Sequence, residues 1–242
     1  IIDKRYAKKL RRQINLKQAG SSSNVSPGLP IDPKTLVKGV KKAGAESIET
    51  THISTWDQWG NVVSTTTTLN FSFGSGIAVS GAGFLLNNEM DDFSAKPGSP
   101  NGYGLIGGVA NEIQPGKRPL SAMTPTIVFD QKGAPILATG SPGGSTIITA
   151  VLQVLLNVLE FNMGIADATA APRVHHQWLP DRIGYEPGIS PDTLSLLKEM
   201  GHSLDDKSRI LGATQTVHRG PNGSTMGASD TRRDGAGAVP QG

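Results

Sequence analysis

The pattern of hydrophobic and polar positions changes at Thr50. From there to Trp56 the two kinds of residue alternate with a period of two, residues 57–61 have the composition of a turn, and the pattern returns over residues 62–69. This arrangement predicts a β-hairpin that opens a sheet. Before it, apolar positions at helical spacing predict a short amphipathic helix over residues 6–15.

Further periodic segments follow the hairpin. Two short apolar runs within residues 70–83 are broken by glycines, which is consistent with strand edges and bulges. The remaining predictions are strands at 123–129, 135–139, 209–217 and 224–226 and helices at 146–161, 166–171 and 191–200. Strands 123–129 and 135–139 would form a second hairpin. This order of elements predicts an α+β fold arranged as a layered sandwich.

The amino-acid composition indicates which classes of binding partner to expect. A chain of 242 residues suits one large domain with an N-terminal appendage. The net charge is only +3 and the basic residues are scattered apart from a cluster at 8–12, so we expect no nucleic acid. The sequence has no run of about 18 apolar residues, which predicts no transmembrane helix and no membrane partner. Without cysteine it has neither disulfides nor a thiolate zinc site.

The segment before Thr50 has the features of an accessible linker. Residues 20–33 are mainly Ser, Pro, Gly and Asn, and residues 35–45 add lysines and small side chains. Such segments do not fold alone and are open to cleavage. The sequence also opens without an initiator methionine or a signal-peptide pattern, so we expect the later part of a longer precursor.

A threonine at this junction predicts a specific chemistry if the chain is cut between Glu49 and Thr50. The freed α-amino group would then lie on the same residue as the hydroxyl and could act as its base. The alternative is that Thr50 and Thr51 are two β-formers that open an exposed strand.

Three other segments could contribute to a binding site. Residues 89–92 contain three carboxylates, although a solvated acidic turn has the same composition. The Gly, Pro and Asn content of loop 97–108, around Tyr103, is typical of a lid. Gly143 and Gly144 precede a predicted helix, where free backbone N–H groups can hold negative charge.

The sequence lacks the common cofactor and metal motifs. The glycine loop at 140–145 is not followed by Gly-Lys-Ser/Thr, and Val79 stands where a dinucleotide fingerprint starting at Gly74 would need a third glycine. His175 and His176 are adjacent and would face opposite sides of a strand, which favours a structural role over a zinc site. We therefore expect no nucleotide, no metal and no other cofactor.

The candidate residues are of the kinds that could bind a substrate with both an ammonium and a carboxylate group. They comprise a nucleophile, hydroxyl and amide groups, two acids and two backbone donors, at Thr50, Thr68, Asn70, Glu89, Asp92, Ser121, Gly143 and Gly144. The glycine N–H groups could stabilise a tetrahedral oxyanion, an effect of about 3 kcal/mol per donor.

Several strings, in order and at matching spacing, resemble the small subunit of the γ-glutamyltranspeptidase family: TTHIS, TLNFSFGSG, LLNNEMDDFSAKPG, NGYGLIGG, KRPLSAMTPT, GSPGGSTIIT and APRVHHQWLPD. The resemblance runs from Thr50 almost to the C-terminus. It implies that residues 1–49 are the C-terminal tail of the large subunit with a flexible linker, and that residues 50–242 are the small catalytic subunit. The implied fold is the αββα sandwich of N-terminal nucleophile hydrolases, here without most of the large subunit.

The resemblance also implies the catalytic roles. The precursor would cleave itself between Glu49 and Thr50, which exposes Thr50 as the nucleophile and its amine as the base. Thr68 would hold Thr50 by a hydrogen bond, while Gly143 and Gly144 would form the oxyanion hole.

The binding roles implied by the resemblance belong to a γ-glutamyl group. Asn70, Glu89 and Asp92 would bind its α-ammonium, Ser121 would bind its α-carboxylate, and Tyr103 would close over the pocket as part of the lid. Two features depart from the family. Its carboxylate-binding motif typically has paired serines, where this chain has Ser121 followed by alanine, and its carboxylate-binding arginine lies in the missing large subunit.

The function implied is acyl transfer from glutathione and other γ-glutamyl amides to water, amino acids or peptides. The large subunit of the same precursor would be a partner, and the location would be periplasmic or secreted. Two alternatives remain: a cephalosporin or glutaryl acylase of the same superfamily, in which the ammonium site would be altered, and an inactive fragment.

Overall fold

The computed structural model describes residues 3–25, 49–102, 105, 107–220 and 222–234. Within these ranges the chain forms four α-helices and eight β-strands, which confirms the predicted α+β class. In chain order the elements are α1 (Lys4–Arg11), β1 (Thr51–Trp56), β2 (Val62–Thr67), β3 (Thr126–Phe129), β4 (Pro135–Gly140), α2 (Thr146–Leu159), α3 (Ile165–Ala170), β5 (Val174–His175), β6 (Gly184–Tyr185), α4 (Pro191–Glu199), β7 (Gln215–Arg219) and β8 (Thr225–Ser229).

The central sheet is antiparallel and has the strand order β3-β4-β7-β8. The predicted second hairpin supplies β3 and β4, and the Asp130 carboxylate stabilises its turn by accepting hydrogen bonds from the backbone N–H groups of Lys132 and Ala134, each over 2.8 Å. The predicted first hairpin is also confirmed, as a separate pair of antiparallel strands, β1 and β2.

The two faces of β4 contact different layers because side chains alternate along a strand. Leu137 faces α2 and α3, where it packs with Val154, Val158 and Ala168 in the buried hydrophobic core. Gly140 faces the opposite way and lies against the imidazole of His52 in β1. The sheet therefore has helices on one face and the first hairpin on the other.

His52 occupies the space that Gly140 leaves open. Burial lowers the pKa of His52 to about 4, so the ring is neutral at neutral pH. Its Nδ1 lies 2.8 Å from the Thr66 hydroxyl and its Nε2 lies 2.9 Å from the Ser54 hydroxyl. Ser54 in turn donates to the Gln215 carbonyl on β7 over 3.0 Å, which links the hairpin to the sheet.

Two segments predicted as strands have other structures. Residues 70–83 form turns, with one isolated bridge between Ala78 and Leu85. Gly74 adopts a φ of +54° in one of these turns, and a side chain there would collide with the Leu86 carbonyl. Residues 209–214 are not a strand either, and pairing with β4 begins only at Gln215. Local apolar runs led to both predictions, but tertiary packing decided the outcome.

A buried ionic network joins the ends of several elements. Arg173 is 1% exposed, and its Nη2 lies 2.7 Å from Oδ2 of Asp230. Arg232 bridges Glu186 over 2.6 Å and Asp230 over 3.0 Å. Burial is the largest single influence on the pKa of Asp230 and would raise it, but the charge of Arg173 and the hydrogen bonds from Arg173 and Arg232 together hold the pKa below its usual value. The network fixes the chain that follows β8.

Part of the predicted linker contacts the main body. Ser22 is buried, and its N–H and Oγ donate to the Asp181 carboxylate over 2.8 and 2.7 Å. The Trp178 indole donates to the Ser22 carbonyl over 2.7 Å. Composition alone did not predict this anchor. The rest of the predicted linker, residues 26–33, lies outside the described residues, as does the lysine-containing segment at 35–45.

Candidate active site

Thr50 lies at the open end of the first hairpin. Because Thr51 pairs with Thr67, the next residues outward, Thr50 and Thr68, lie side by side. Thr50 is 6% exposed, and its Oγ1 donates to Oγ1 of Thr68 over 3.2 Å. The hairpin register therefore allows the hydrogen bond between Thr50 and Thr68 that the family resemblance implies.

A tight turn after Thr68 connects this pair to the acidic segment. Asn70 is buried in the left-handed region at φ +74°, and its N–H donates to Thr68 Oγ1 over 2.9 Å. Its side-chain amide donates to the Asn88 carbonyl over 3.2 Å, while the Asn88 N–H bonds back to Leu69. These bonds hold residue 88, and so the residues that follow it, beside Thr50.

The acidic residues form a 3₁₀ turn over Glu89–Asp92. Burial, assisted by a hydrogen bond with Asp92 and by its negative charge, raises the pKa of Glu89 to about 7. Burial also raises the pKa of Asp92. Among the described residues, Oε2 of Glu89 has no hydrogen-bond partner although it is buried. Such a carboxylate pair can release a proton when a cation binds beside it.

The third acidic residue of the cluster has a different partner. The Asp91 carboxylate accepts a hydrogen bond from the Gly102 N–H over 2.9 Å. It therefore ties the acidic turn to the loop that was predicted as a lid. Tyr103, the predicted lid residue, lies outside the described residues.

One cavity of about 460 Å³ collects most of the predicted groups. Those that line it are Thr50, Thr68, Asn70, Glu89, Asp92, Ser121 and Gly144, and Ala122 lines it as well. Ser121 Oγ accepts a hydrogen bond from the Met123 N–H over 3.2 Å. Sequence reasoning missed Asn111, which also lines the cavity and whose side chain joins the Asp92 carbonyl, over 2.6 Å, to the Leu120 N–H, over 2.9 Å.

The glycine pair forms the turn into α2. Gly144 lines the same cavity as Thr50, whereas Gly143 is not among the residues that line it. Gly143 and Gly144 have φ values of +128° and +55°, which favour glycine. The Gly143 carbonyl accepts hydrogen bonds from the N–H and Oγ1 of Thr146 over 3.1 and 2.6 Å. A Cβ on Gly143 would also lie only 2.6 Å from that Oγ1. The turn thus needs glycine at this position.

Arg233 is a second residue that sequence reasoning missed. Its Nη1 donates to the Thr50 carbonyl over 2.8 Å, although the two residues are 183 positions apart. A pair of adjacent arginines near the end of a chain gives no local signal of such a contact. Only the fold reveals it.

Comparison with known proteins decides the family. The model of the family described as gamma-glutamyltranspeptidase matches residues 1–239. The chain belongs to the γ-glutamyltranspeptidase family.

Other members of the γ-glutamyltranspeptidase family show how much of a full protein this chain represents. It is 50% identical over 232 residues to the glutathione hydrolase proenzyme of Escherichia coli K12, a match covering 96% of this chain and 38% of that protein. The γ-glutamyltranspeptidase of Pseudomonas nitroreducens complexed with L-DON has a solved chain that aligns with a TM-score of 0.73 and 47% identity, covering 79% of this chain and 100% of that chain. The present chain thus spans about two fifths of the length of the curated relatives it matches.

A wider structural likeness concerns the fold alone. The cephalosporin acylase of Bacillus halodurans aligns with a TM-score of 0.75 over all of this chain and 39% of the acylase, at 24% identity. Within the described ranges, no helix has the length and hydrophobicity to cross a bilayer, and no cluster of three or more His, Asp or Glu side chains could hold a metal ion.

Proposed function

We propose that this chain is part of a γ-glutamyltranspeptidase precursor that matures by cleavage between Glu49 and Thr50. Residues 1–49 are then the tail of the large subunit with its linker, and residues 50–242 are the small catalytic subunit. The rest of the large subunit is the partner that completes the αββα sandwich. Support comes from the proenzymes to which the chain is similar and from the placement of Thr50 at the edge of a cavity.

Self-cleavage begins at the Thr50 hydroxyl. Its oxygen attacks the Glu49 carbonyl carbon, the bond from that carbon to the Thr50 nitrogen breaks, and the freed nitrogen takes up the proton. Water then hydrolyses the ester, which leaves a carboxylate on Glu49 and an N-terminal amine on Thr50. The hydrogen bond from Thr50 to Thr68 restricts the rotamer of the attacking hydroxyl.

The mature site transfers an acyl group in two steps. The Thr50 amine accepts the hydroxyl proton as Oγ1 attacks the γ-carbonyl of a donor such as glutathione, and the same proton then passes to the departing amine. Water, an amino acid or a peptide attacks the resulting ester and releases Thr50. The N–H groups of Gly143 and Gly144 stabilise the oxyanion, by about 3 kcal/mol per donor in comparable sites.

The rest of the cavity orients the donor. Asn70, Glu89 and Asp92 bind the α-ammonium, and the ion pair strengthens as the site excludes water. Ser121 donates to the α-carboxylate. Ala122 supplies no hydroxyl, so another donor must hold that carboxylate as well. Tyr103 is proposed to close the lid. We place the mature enzyme in the periplasm or outside the cell.

One observation carries the proposal. Thr50, Thr68, Glu89 and Asp92 line the same cavity, although Thr50 and Asp92 are 42 positions apart in the sequence. A nucleophile facing two acids matches an acyl donor that bears an ammonium group. A glutaryl donor lacks that ammonium and would leave both acids without a partner.

Comparison of two anilide substrates tests the proposal in the full-length protein that contains this chain. We expect hydrolysis of γ-glutamyl anilide with a kcat/KM at least about a hundredfold above that for glutaryl anilide, because the loss of a partly buried charge pair costs about 3 kcal/mol or more. Equal values would favour the acylase alternative. A protein that is folded and cleaved before Thr50 but hydrolyses neither anilide would favour the inactive alternative.

A further inference from the structure

Thr50 lies between two cavities, and the acyl-transfer scheme uses only one of them. The second cavity has a volume of about 320 Å³ and is lined by residues that include Thr50, Pro142, Arg233 and Asp234. On this side the Arg233 guanidinium donates from Nη1 to the Thr50 carbonyl over 2.8 Å. The positively charged Arg233 therefore contacts the Thr50 backbone from the second cavity and not from the first.

The turn that carries Arg233 is held in place by its neighbours. Asp230 accepts hydrogen bonds from the N–H groups of Thr214 and Arg232 over 2.9 and 3.0 Å. The Arg232 side chain makes a bidentate contact with Glu186 over 2.7 and 2.6 Å and also donates to the Thr169 carbonyl over 2.9 Å. The backbone at residue 233 thus has little freedom, and its side chain is presented to Thr50.

We propose that Arg233 is a positioning residue for the Thr50 nucleophile: its guanidinium fixes the Thr50 carbonyl, and its charge favours the neutral form of the α-amine that cleavage releases. This inference rests on the proposed cleavage before Thr50. Arg233 does not line the first cavity, where the acyl donor would bind, and we do not assign it a catalytic role.

The electrostatic effect follows from covalent geometry. The nitrogen and the carbonyl oxygen of one residue are roughly 3 Å apart, so the guanidinium lies within about 6 Å of the amine. An ordinary α-amine has a pKa of about 7.8 and is mostly protonated at neutral pH. A like charge at this distance disfavours the protonated amine, by an amount on the order of half to one pKa unit. The base that accepts the Thr50 proton is then more often available.

Other charges around Thr50 act in both directions. The acids of the first cavity favour a protonated amine and oppose Arg233. His52, directly behind the hairpin, is neutral because burial lowers its pKa to about 4. The charged or titratable groups that line the two cavities or belong to the turn are Glu89, Asp91, Asp92 and Lys96 on one side and His52, Asp230, Arg232, Arg233 and Asp234 on the other.

Three variants of the full-length protein distinguish an effect of the Arg233 charge on the Thr50 amine from a general loss of stability. Arg233→Lys keeps the charge, whereas Arg233→Gln keeps an amide donor without the charge. Arg219→Gln is the matched control, since Arg219 lies over the Trp56 ring, 5.9 Å from its centroid, at the far end of the hairpin. The readouts are the pH profile of kcat/KM for γ-glutamyl anilide and the pH dependence of carbamylation of the Thr50 amine by cyanate, followed by mass spectrometry.

For Arg233→Gln we expect the acid limb of the profile and the amine titration to move upward by about half a unit or more. At pH 7, kcat should fall about twofold to fivefold with little change in KM. Arg233→Lys should retain the parental limb, and Arg219→Gln should match the parent throughout. Arg233→Gln protein that folds but stays uncleaved would equally support a positioning role.

The inference would be overturned if mature Arg233→Gln showed the parental acid limb and the parental amine titration. It would also be overturned if Arg233→Lys and Arg233→Gln lost equal activity in proportion to a lower melting temperature. If Arg233→Gln does not fold, Arg233→Lys provides the test. This variant keeps the positive charge, so an upward shift of about half a pH unit in its acid limb would contradict the proposal. If the parent is not cleaved before Thr50, the proposed function fails regardless of the Arg233 variants.

Discussion

At the scale of single residues, the fold alters the chemistry of Glu89. Burial, together with Asp92 beside it, raises the pKa of Glu89 from 4.5 to about 7. A carboxyl group with a raised pKa adds stability when protonated. This stability is fully present below about pH 4.5 and is lost as the pH rises through about 7.

Replacing Glu89 with glutamine should remove this loss of stability at high pH, because glutamine does not ionise. We expect Glu89→Gln to melt at a higher temperature than the parent at pH 8, with the difference disappearing near pH 4.5. Thermal unfolding across this range measures it, with the exposed Glu199→Gln as control. A difference that does not depend on pH would show that the Glu89 carboxylate is not destabilised by its surroundings.

Thr68 offers a second test at this scale. Thr68→Val preserves the shape but removes the acceptor for both the Thr50 hydroxyl and the Asn70 N–H. With each hydrogen bond worth about 0.5–1.5 kcal/mol, kcat should fall roughly fivefold to a hundredfold while KM changes less. Steady-state kinetics with γ-glutamyl anilide checks this, and the exposed Thr65→Val serves as control. Parental kcat in Thr68→Val would remove Thr68 from the mechanism.

The candidate residues that could be predicted from the sequence are those that lie within the short family-like motifs. Thr50, Glu89 and Asp92 lie inside such motifs, and the fold brings them to one cavity. Arg233 and Asn111 could not be predicted in this way because their roles come from contacts across the fold and not from neighbours in sequence.

At the scale of elements, the position of the first hairpin depends on a close contact between Gly140 and His52. A methyl group on Gly140 would collide with the imidazole, so Gly140→Ala forces the hairpin away from the sheet. Overpacking of this kind costs about 1–3 kcal/mol. We expect a lower melting temperature, and also lower activity because Thr50 begins this hairpin.

Gly227→Ala is the matched control for the hairpin contact. Gly227 lies on β8 of the same sheet, and a Cβ there would meet no atom within 4 Å. Its melting temperature should stay near that of the parent. Equal effects of the two substitutions would mean that the His52 contact does not set the hairpin position.

The predictions for elements succeeded where the pattern was local and regular. Both hairpins and the helix after Gly144 follow from periods of two and 3.6. The strand prediction was wrong for residues 70–83 because their glycines favour turns. It was wrong for residues 209–214 because the chain there has Gly212 at a φ of +72° and pairs with β4 only from Gln215.

At the scale of the whole molecule, the buried ionic network connects α3, β6 and the end of β8. Asp230→Asn would leave Arg173 without its carboxylate in a site that is 1% exposed. Breaking such a buried pair typically costs about 3–5 kcal/mol. We expect a markedly lower melting temperature, and slower self-cleavage because the turn carrying Arg233 loosens.

The control is the partly exposed Asp205, which lies 3.6 Å from Arg182 and 3.8 Å from Arg209. Asp205→Asn should change stability by no more than about 1 kcal/mol, since exposed pairs contribute little. If both substitutions lower the melting temperature equally, the network has no special role. None of these long-range pairings was predictable from sequence, because no periodicity links residues so far apart.

The intact mass of the full-length protein tests the central claim most directly. The account predicts two chains, the second beginning at Thr50, and a single uncleaved chain for Thr50→Ala, since that variant lacks the attacking hydroxyl. Cleavage of Thr50→Ala at the same peptide bond, or a parent that remains one chain while folded, would contradict it.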